Sequence, residues 1–544
     1  MSSLRIVSYA INGRGMGHLV RQLSILRWMR RITTLLGVRA EFWVLTSSEA
    51  DTLARREGFP AFKLPSKAML RDSGIEPHRY LALARGWVLN AVAGLSPDLL
   101  LVDTFPGGSF GELVSALEMA KHRVLVARKV RAEFAQEDPY QALLPLYERQ
   151  IVPDERDTGP IMLREREELL DRHAARAALG LTDTRRAVYV TLGGGGDEAA
   201  AALLPQLTRK LTERGYSVVV GAGPLYQGQE VRGDGVTWMD RYCPMELFPG
   251  FDSAVSAGGY NSFHELMYTG VPTVFLPQPR IADDQSERAQ RAVEAGAGRL
   301  AQSMEEIPGL LDNPGSPEAA RSLVPKNGAK AAALSALASL LPTADLALAA
   351  EVLTPSLLGL FSSAEGRHGD RGFELLRLLF GHSPSERAQR SAYLLGLTQQ
   401  GQSARGTEPQ QPRAADVEQV LSLLRGSGLT TETALPLVSS LRRKFPAASS
   451  SALLDALGVL IPCWARFEDW SGVTALMRAV PTQRTWSISE FARRLDTWLS
   501  GEDDLFDALR TFSKLEGAGA RPVDEVLRIL SQQPALPHEA SERS

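Results

Sequence analysis

From residue 4 to about 340, short apolar runs alternate with longer stretches whose apolar positions recur at helical spacing. The runs fall at 4–10, 41–46, 98–103, 123–128, 187–192, 216–222, 252–257 and 272–277, and most are continuous rather than alternating. A parallel strand covered on both faces reads this way, whereas a half-exposed strand alternates. Helical patterns lie between the runs, for example at 197–214 and 261–269. The repeated strand–helix–strand order predicts a doubly wound parallel α/β fold. There are too many strands for one comfortable sheet, and the polar, charge-rich stretch 153–186 supplies a break. Two Rossmann-like domains are therefore expected, over 1–160 and 161–340.

After about 340 the strand signals stop, and leucine and alanine dominate. A segment at 399–415, poor in apolar residues, reads as a loop. Helical patterns resume from Asp416, and the last residues read as a frayed tail. An all-α region over 341–544 is expected. Stacked helix pairs would suit it, although no repeat signature is visible.

The bulk numbers exclude several classes. The 544 residues exceed one ordinary core. A net charge of −3 argues against a protein that wraps nucleic acid. Two cysteines, Cys243 and Cys463, stand far apart and form neither a metal-ligand spacing nor a disulfide framework. No signal peptide is read at the start, and no apolar run approaches the roughly 20 residues that cross a bilayer. The expected location is the cytoplasm.

Candidate chemistry clusters where strands run into glycines. The first strand ends in Gly13, Gly15 and Gly17, with His18 next. This spacing is not the dinucleotide G-x-G-x-x-G, and no acidic residue follows at the usual strand end to hold a ribose. The strand at 187–192 runs into Gly193, Gly194 and Gly195 before a helix, where a backbone can approach an anion closely. The third stretch, 253–285, places Gly258 and Gly259 after a strand. Asn261 or Ser262 is expected to cap a helix carrying Glu265 and ending near Gly270. A sugar nucleotide needs helix-start donors for phosphates and a carboxylate that can accept two ribose hydroxyls.

Residues 186–300 resemble the nucleotide-sugar half of GT-B glycosyltransferases, most closely family 28. The pattern G-G-x-N-S-x-x-E-x-x-x-x-G-V-P, followed by D-Q, also resembles the signature of the UDP-glycosyltransferase superfamily. The resemblance implies two Rossmann-like domains facing a cleft. It implies that Glu265 holds the ribose and that Asp284 and Gln285 read the donor sugar. Asn261 and Ser262, with Gly258 and Gly259, fall on the phosphate side, and Gly193, Gly194 and Gly195 face the diphosphate. Trp238, Met239 and Asp240 lie where the family clasps the base through its backbone. Plant-type members carry a histidine where this chain has Ala257. Family 28 lacks it too, which favours the bacterial branch.

An inverting transfer needs a base on the opposite wall to take the acceptor's proton. His18 stands at the carboxyl end of the first strand, where α/β proteins place functional groups, and an ordinary pKa of about 6.5 suits the task. The resemblance implies the same role for it, with Asp103 at a matching strand end orienting it. Gly15, Gly17, Arg21 and Arg128 are cleft or acceptor candidates. No metal ligand set is read and no cofactor is expected beyond the nucleotide sugar as co-substrate, because amides and helix dipoles can hold the leaving diphosphate. Arg27, Arg30 and Arg31, beside Leu26, Trp28 and Ile32, would suit peripheral contact with an anionic membrane, although one buried and one solvated helix face is the plainer reading. The region 341–544 would pack on the transferase, dimerise or dock a protein partner. The rival readings are a non-hydrolysing UDP-sugar 2-epimerase and a non-catalytic scaffold working through its helices.

Overall fold

The computed structural model describes residues 3–11, 15–128, 138–155, 158–182, 184–192, 198–223, 226, 228–239, 244–278, 285–353, 431–448, 450–464, 477 and 485–500. The chain forms two compact units, Met1–Asp370 and Arg371–Ser544.

The first unit holds two parallel sheets. Strands β1 (Leu4–Ala10), β2 (Ala40–Thr46), β3 (Ala61–Lys63), β4 (Leu99–Asp103), β5 (His122–Val126) and β6 (Arg149–Ile151) lie in the order β3-β2-β1-β4-β5-β6. Strands β7 (Ala187–Thr191), β8 (Ser217–Gly221), β9 (Val236–Met239), β10 (Ser253–Ser256), β11 (Thr273–Phe275) and β12 (Gly298–Leu300) lie in the order β12-β11-β10-β7-β8-β9. Counted from its own first strand, each sheet has the Rossmann order 3-2-1-4-5-6. The direction of winding reverses between β1 and β4, which pair Ile6 with Leu99 and Tyr9 with Val102. It reverses again between β7 and β10, which pair Thr191 with Ser256. The two-domain GT-B architecture expected from the sequence is present.

The apolar runs became strands because both faces are covered. Every residue of β4, β7 and β8 is buried. Successive β1 side chains alternate between two helical layers. Ser8 bonds Gln22 of α1 (Gly17–Leu36) at 2.8 Å, while Val7 and Tyr9 join a core with Val88 and Val92 of α2 (Pro77–Leu95). In the second sheet, Val188 and Val190 pack with Leu204, Leu207 and Leu211 of α3 (Glu198–Glu213). Tyr189 packs on the other side with Phe263 and Leu266 of α4 (Tyr260–Thr269). Helix α5 (Gln285–Glu294) follows β11. Both α1 and α4 end on a left-handed glycine, Gly37 at φ 67° and Gly270 at φ 79°.

The strands that the hydrophobic pattern does not announce are β3, β6, β9 and β12, the four edge strands. Each has three or four residues, and each is only partly buried.

Much of the charge-rich break is buried. Ile161, Met162 and Leu163 are buried, as are Arg164, Glu165 and Glu168. Arg164 holds Glu57 at 2.9 and 2.6 Å and Glu246 at 2.6 Å. Glu168 accepts from Arg27 at 2.6 Å and from Arg31. Glu165 takes Trp28 Nε1 and the Tyr268 hydroxyl, each at 3.0 Å. Burial, with the neighbouring Glu168 charge, pushes Glu165 up to about 7. The membrane reading of α1 is corrected here. Arg27, Trp28 and Arg31 are buried in this network, and Arg30 bonds the Glu57 carbonyl at 3.0 Å with its guanidinium over Phe59. They are neither a lipid-facing stripe nor a solvated face, because covering α1 on all sides requires its cations to be ion-paired inside.

Helices α6 (Ala329–Leu337) and α7 (Thr343–Val352) return to pack on α1. Lys330 bonds the carbonyls of Ala350 and Leu353 at 2.6 and 2.8 Å and lies over the Trp28 ring.

The described part of the second unit is helical: α8 (Thr431–Lys444), α9 (Ser450–Trp464) and α10 (Ile488–Ser500). Its buried residues include Leu441, Leu457, Leu460, Phe491 and Leu495. The loop read at 399–415 lies outside the described residues. No described helix is long and apolar enough to cross a membrane.

Candidate active site

The first wall of the site is built at the carboxyl ends of β1 and β4, where the first sheet reverses. Residues 12–14 lie outside the described part, and Gly15, Met16 and Gly17 lead into α1. The Gly15 carbonyl takes the Ser48 hydroxyl at 3.3 Å. His18 therefore sits in the first turn of α1, the helix that follows β1.

His18 Nδ1 lies 2.9 Å from Asp103 Oδ2. Asp103 ends β4 and is fully buried. Arg21 stands three residues beyond His18, on the same helix face. It grips the carboxylate twice, Nε to Oδ1 at 3.0 Å and Nη2 to Oδ2 at 2.9 Å. Thr104 donates to Oδ1 at 3.2 Å and accepts from Arg21 at 3.3 Å. Thr104 has φ 61°, a costly conformation for a β-branched residue, and it turns the chain sharply after Asp103. Burial alone would raise the Asp103 pKa, but Arg21 and His18 outweigh it and hold the carboxyl below its ordinary range. A neutral imidazole that donates Nδ1–H to an ionised Asp103 keeps Nε2 as an acceptor. The Phe105 ring lies 5.6 Å from the imidazole.

The second wall is the start of α4, at the reversal point of the second sheet. Gly258 has φ 78°; its N–H donates to Ser256 Oγ at 3.1 Å, and its carbonyl accepts Arg288 Nε at 3.0 Å. A Cβ there would crowd Phe275 at 3.3 Å. A Cβ at Gly259 would meet nothing within 4 Å, so this backbone borders open space. The expected cap is corrected. Gly259 is the N-cap, no side chain caps the helix, and Asn261 and Ser262 lie inside its first turn. Extended backbone at Gly259 starts the helix at Tyr260, earlier than the polar pair suggested, and the first-turn amides point outward without a side-chain cap.

Glu265 is buried one turn further along, and burial pushes its pKa up to about 8. Gln285 is buried at the start of α5, where its Oε1 accepts the Gln278 N–H at 2.9 Å. Any contact it makes with a sugar falls to its Nε2 donors. Met239 ends β9 with its side chain in the apolar core, so any base contact there uses backbone. Trp238 rests against Tyr226, ring centroids 5.1 Å apart. Gly193, Gly194, Gly195, Asp240 and Asp284 lie outside the described residues.

The walls meet. A Cβ on Gly17 would stand 3.8 Å from Asn261 Nδ2, an ordinary contact. The Tyr260 hydroxyl donates to Asp154 Oδ1 at 2.8 Å, and the guanidinium groups of Arg21 and Arg128 lie over its ring at 5.7 and 5.0 Å. His264, one turn along, places Nδ1 2.9 Å from the Tyr260 carbonyl and Nε2 3.6 Å from Asp154. Burial, aided by Arg288 and Arg291, drives His264 down to about 4, so it is neutral near pH 7. Sequence reasoning missed Thr104, Asp154, Tyr260 and His264. Tyr260 occupies an unspecified position of the signature, and the left-handed backbone of Asp154 (φ 71°) leaves no mark in the sequence.

Two doubly wound domains with a histidine–aspartate pair facing an uncapped helix start define a body of GT-B type. Residues 187–342 match the glycosyltransferase family 28 C-terminal domain. The UDP-N-acetylglucosamine–N-acetylmuramyl-(pentapeptide) pyrophosphoryl-undecaprenol N-acetylglucosamine transferase of Mycolicibacterium vanbaalenii is 31% identical over 173 residues, covering 28% of this chain and 42% of that protein. An uncharacterized glycosyltransferase of Methanopyrus kandleri is 28% identical over 142 residues, 26% of this chain and 40% of that one. The chain thus spans less than half the length of these curated relatives. The solved glycosyltransferase SsfS6 of Streptomyces sp. SF2575, complexed with thymidine diphosphate, aligns over 61% of this chain and 99% of its own, with 18% identity and a TM-score of 0.44.

Proposed function

We propose that this chain is an inverting glycosyltransferase that moves a sugar from a UDP-linked donor to a hydroxyl acceptor, with His18 as general base. The observation that carries the reading is the 2.9 Å His18–Asp103 pair on the wall opposite the family 28 domain. Nε2 of His18 takes the acceptor's proton, and the hydroxyl oxygen attacks the anomeric carbon. The bond from that carbon to the diphosphate breaks, and the nucleoside diphosphate leaves with the electron pair. Asp103 stabilises the imidazolium so formed. The uncapped start of α4 meets the leaving charge with backbone N–H groups and a positive dipole end, which makes a metal dispensable. Glu265 receives the ribose hydroxyls, and Arg128 faces an anionic acceptor. A UDP donor is supported by the Mycolicibacterium relative, whose name specifies UDP-N-acetylglucosamine.

The test is a panel of nucleotides and nucleotide sugars read by thermal shift and by slow donor hydrolysis. UDP and its sugars should raise the melting temperature, because a ligand well above its Kd stabilises the state that binds it. No shift at millimolar UDP would overturn the reading. His18→Ala should abolish turnover and keep UDP binding.

A further inference from the structure

Tyr260 opens the donor-side helix, yet it reaches into the other wall. Its hydroxyl bonds Asp154, which follows β6, and its ring carries Arg21 of α1 and Arg128, which follows β5. Its chain neighbours are Gly259, which borders open space, and Asn261, which faces Gly17. Arg21 is fully buried, and its edge is committed to Asp103 and Thr104. A planar guanidinium held by its edge leaves its face to an aromatic ring. Asp154 adopts a left-handed backbone, which aspartate tolerates better than most residues.

We propose that Tyr260 is a positioning residue that couples the seating of the donor loop to the Arg21–Asp103–His18 relay. Any movement of the α4 start moves Tyr260. Any displacement of its ring uncovers Arg21, and Arg21 sets the carboxylate that orients His18. With the ring in place, the buried ion pair stays dry and the imidazole is held. Without it, water reaches the pair and the histidine loses its fixed orientation. The kinetic part of this proposal rests on the glycosyltransferase reading; the structural part does not.

The experiment compares Tyr260→Phe and Tyr260→Leu in the full chain. The ring-nitrogen NMR shifts of His18 are read in protein carrying 15N-histidine and assigned with His18→Ala. UDP binding and UDP-sugar turnover are measured in parallel. Tyr260→Leu should displace the His18 signals and lower kcat by about thirtyfold or more, while the Kd for UDP changes less than about threefold. Tyr260→Phe keeps the ring beneath the guanidinium groups and should retain most of the turnover and wild-type His18 signals. A folded Tyr260→Leu with unmoved His18 signals overturns the proposal, whatever the turnover. So does a loss of UDP affinity as large as the loss of kcat, which would make Tyr260 a nucleotide contact. If wild type neither binds UDP nor turns over, the transferase reading falls, and the His18 signals still decide the role of Tyr260.

Discussion

Arg21 and Asp103 form a fully buried, two-point ion pair, and the carboxylate oxygen that takes Arg21 Nη2 at 2.9 Å also stands 2.9 Å from His18 Nδ1. The carboxylate thus faces a permanent cation and an imidazole that gains charge only when it takes a proton. Asp103→Asn should keep UDP affinity within about threefold and lower kcat on the order of 10² to 10⁴. The neutral amide cannot stabilise the imidazolium, and it can present its NH₂ to Nδ1 and select the wrong tautomer. Steady-state kinetics beside UDP titration checks this; equal losses in both would make the pair a structural staple.

On the proposed reading, in which Glu265 receives the ribose hydroxyls, nucleotide binding is a proton-linked event. Burial holds its pKa at about 8, so the carboxyl is largely protonated near pH 7. Two ribose hydroxyls donating to it would favour the carboxylate and lower that pKa in the complex. UDP affinity should then rise with pH between 6 and 8, by at most about tenfold per unit, and flatten above. Glu265→Gln should bind UDP more weakly and lose the slope. Calorimetric titration in two buffers of different ionisation enthalpy reads the released proton directly.

Two buried cations of α1, Arg27 and Arg31, share the carboxylate of Glu168. Glu168→Gln leaves Arg27 and Arg31 without their main carboxylate in a place water does not reach. Breaking a buried pair from one side costs about 3–5 kcal/mol, so urea should unfold this variant at clearly lower concentration. An unchanged midpoint would mean that the arginines find other partners inside the interface.

Two groups of the first unit lose their contribution to stability in acid, each in its own window. The folded pKa of His264, about 4, lies below its ordinary 6.5, so the unfolded chain binds the extra proton first. The contribution of His264 is therefore lost as pH falls from about 6.5 to 4, against the opposite contributions of Glu165 and Glu265, whose raised pKa values let the folded chain bind protons first, and His264→Gln should remove it from the profile. Asp103 is also held below its ordinary range, so its contribution persists above that range and disappears only at lower pH. Melting temperatures at half-unit intervals, for wild type and His264→Gln, separate the two.

What the sequence made legible follows the physics of burial. Central strands such as β4, β7 and β8 are covered on both faces, and their unbroken apolar runs announce them. Edge strands such as β3, with the pattern half-buried, exposed, half-buried, carry no such run and were invisible. His18 and Asp103 were readable because strand ends are marked by glycines and by the abrupt end of an apolar run. Asp154 was not, because its place beside Tyr260 depends on a turn geometry and on a pairing between residues 106 positions apart. The burial of the charged stretch around Arg164 was not legible for a related reason. Composition reports that a segment is polar, and only the fold reports that its charges neutralise one another in the interior.

The return of α6 and α7 onto α1 bears on synthesis. Domains commonly fold as units in the order in which they are made. Here the first domain's opening helix is covered in part by residues 329–352, which are translated after the last strand of the second sheet. Part of α1, Trp28 beneath Lys330 included, must wait uncovered while the chain that packs on it is still being made. The amino-terminal domain is therefore the first to begin and among the last to be completed, and a chain halted after β12 carries an α1 without that part of its cover.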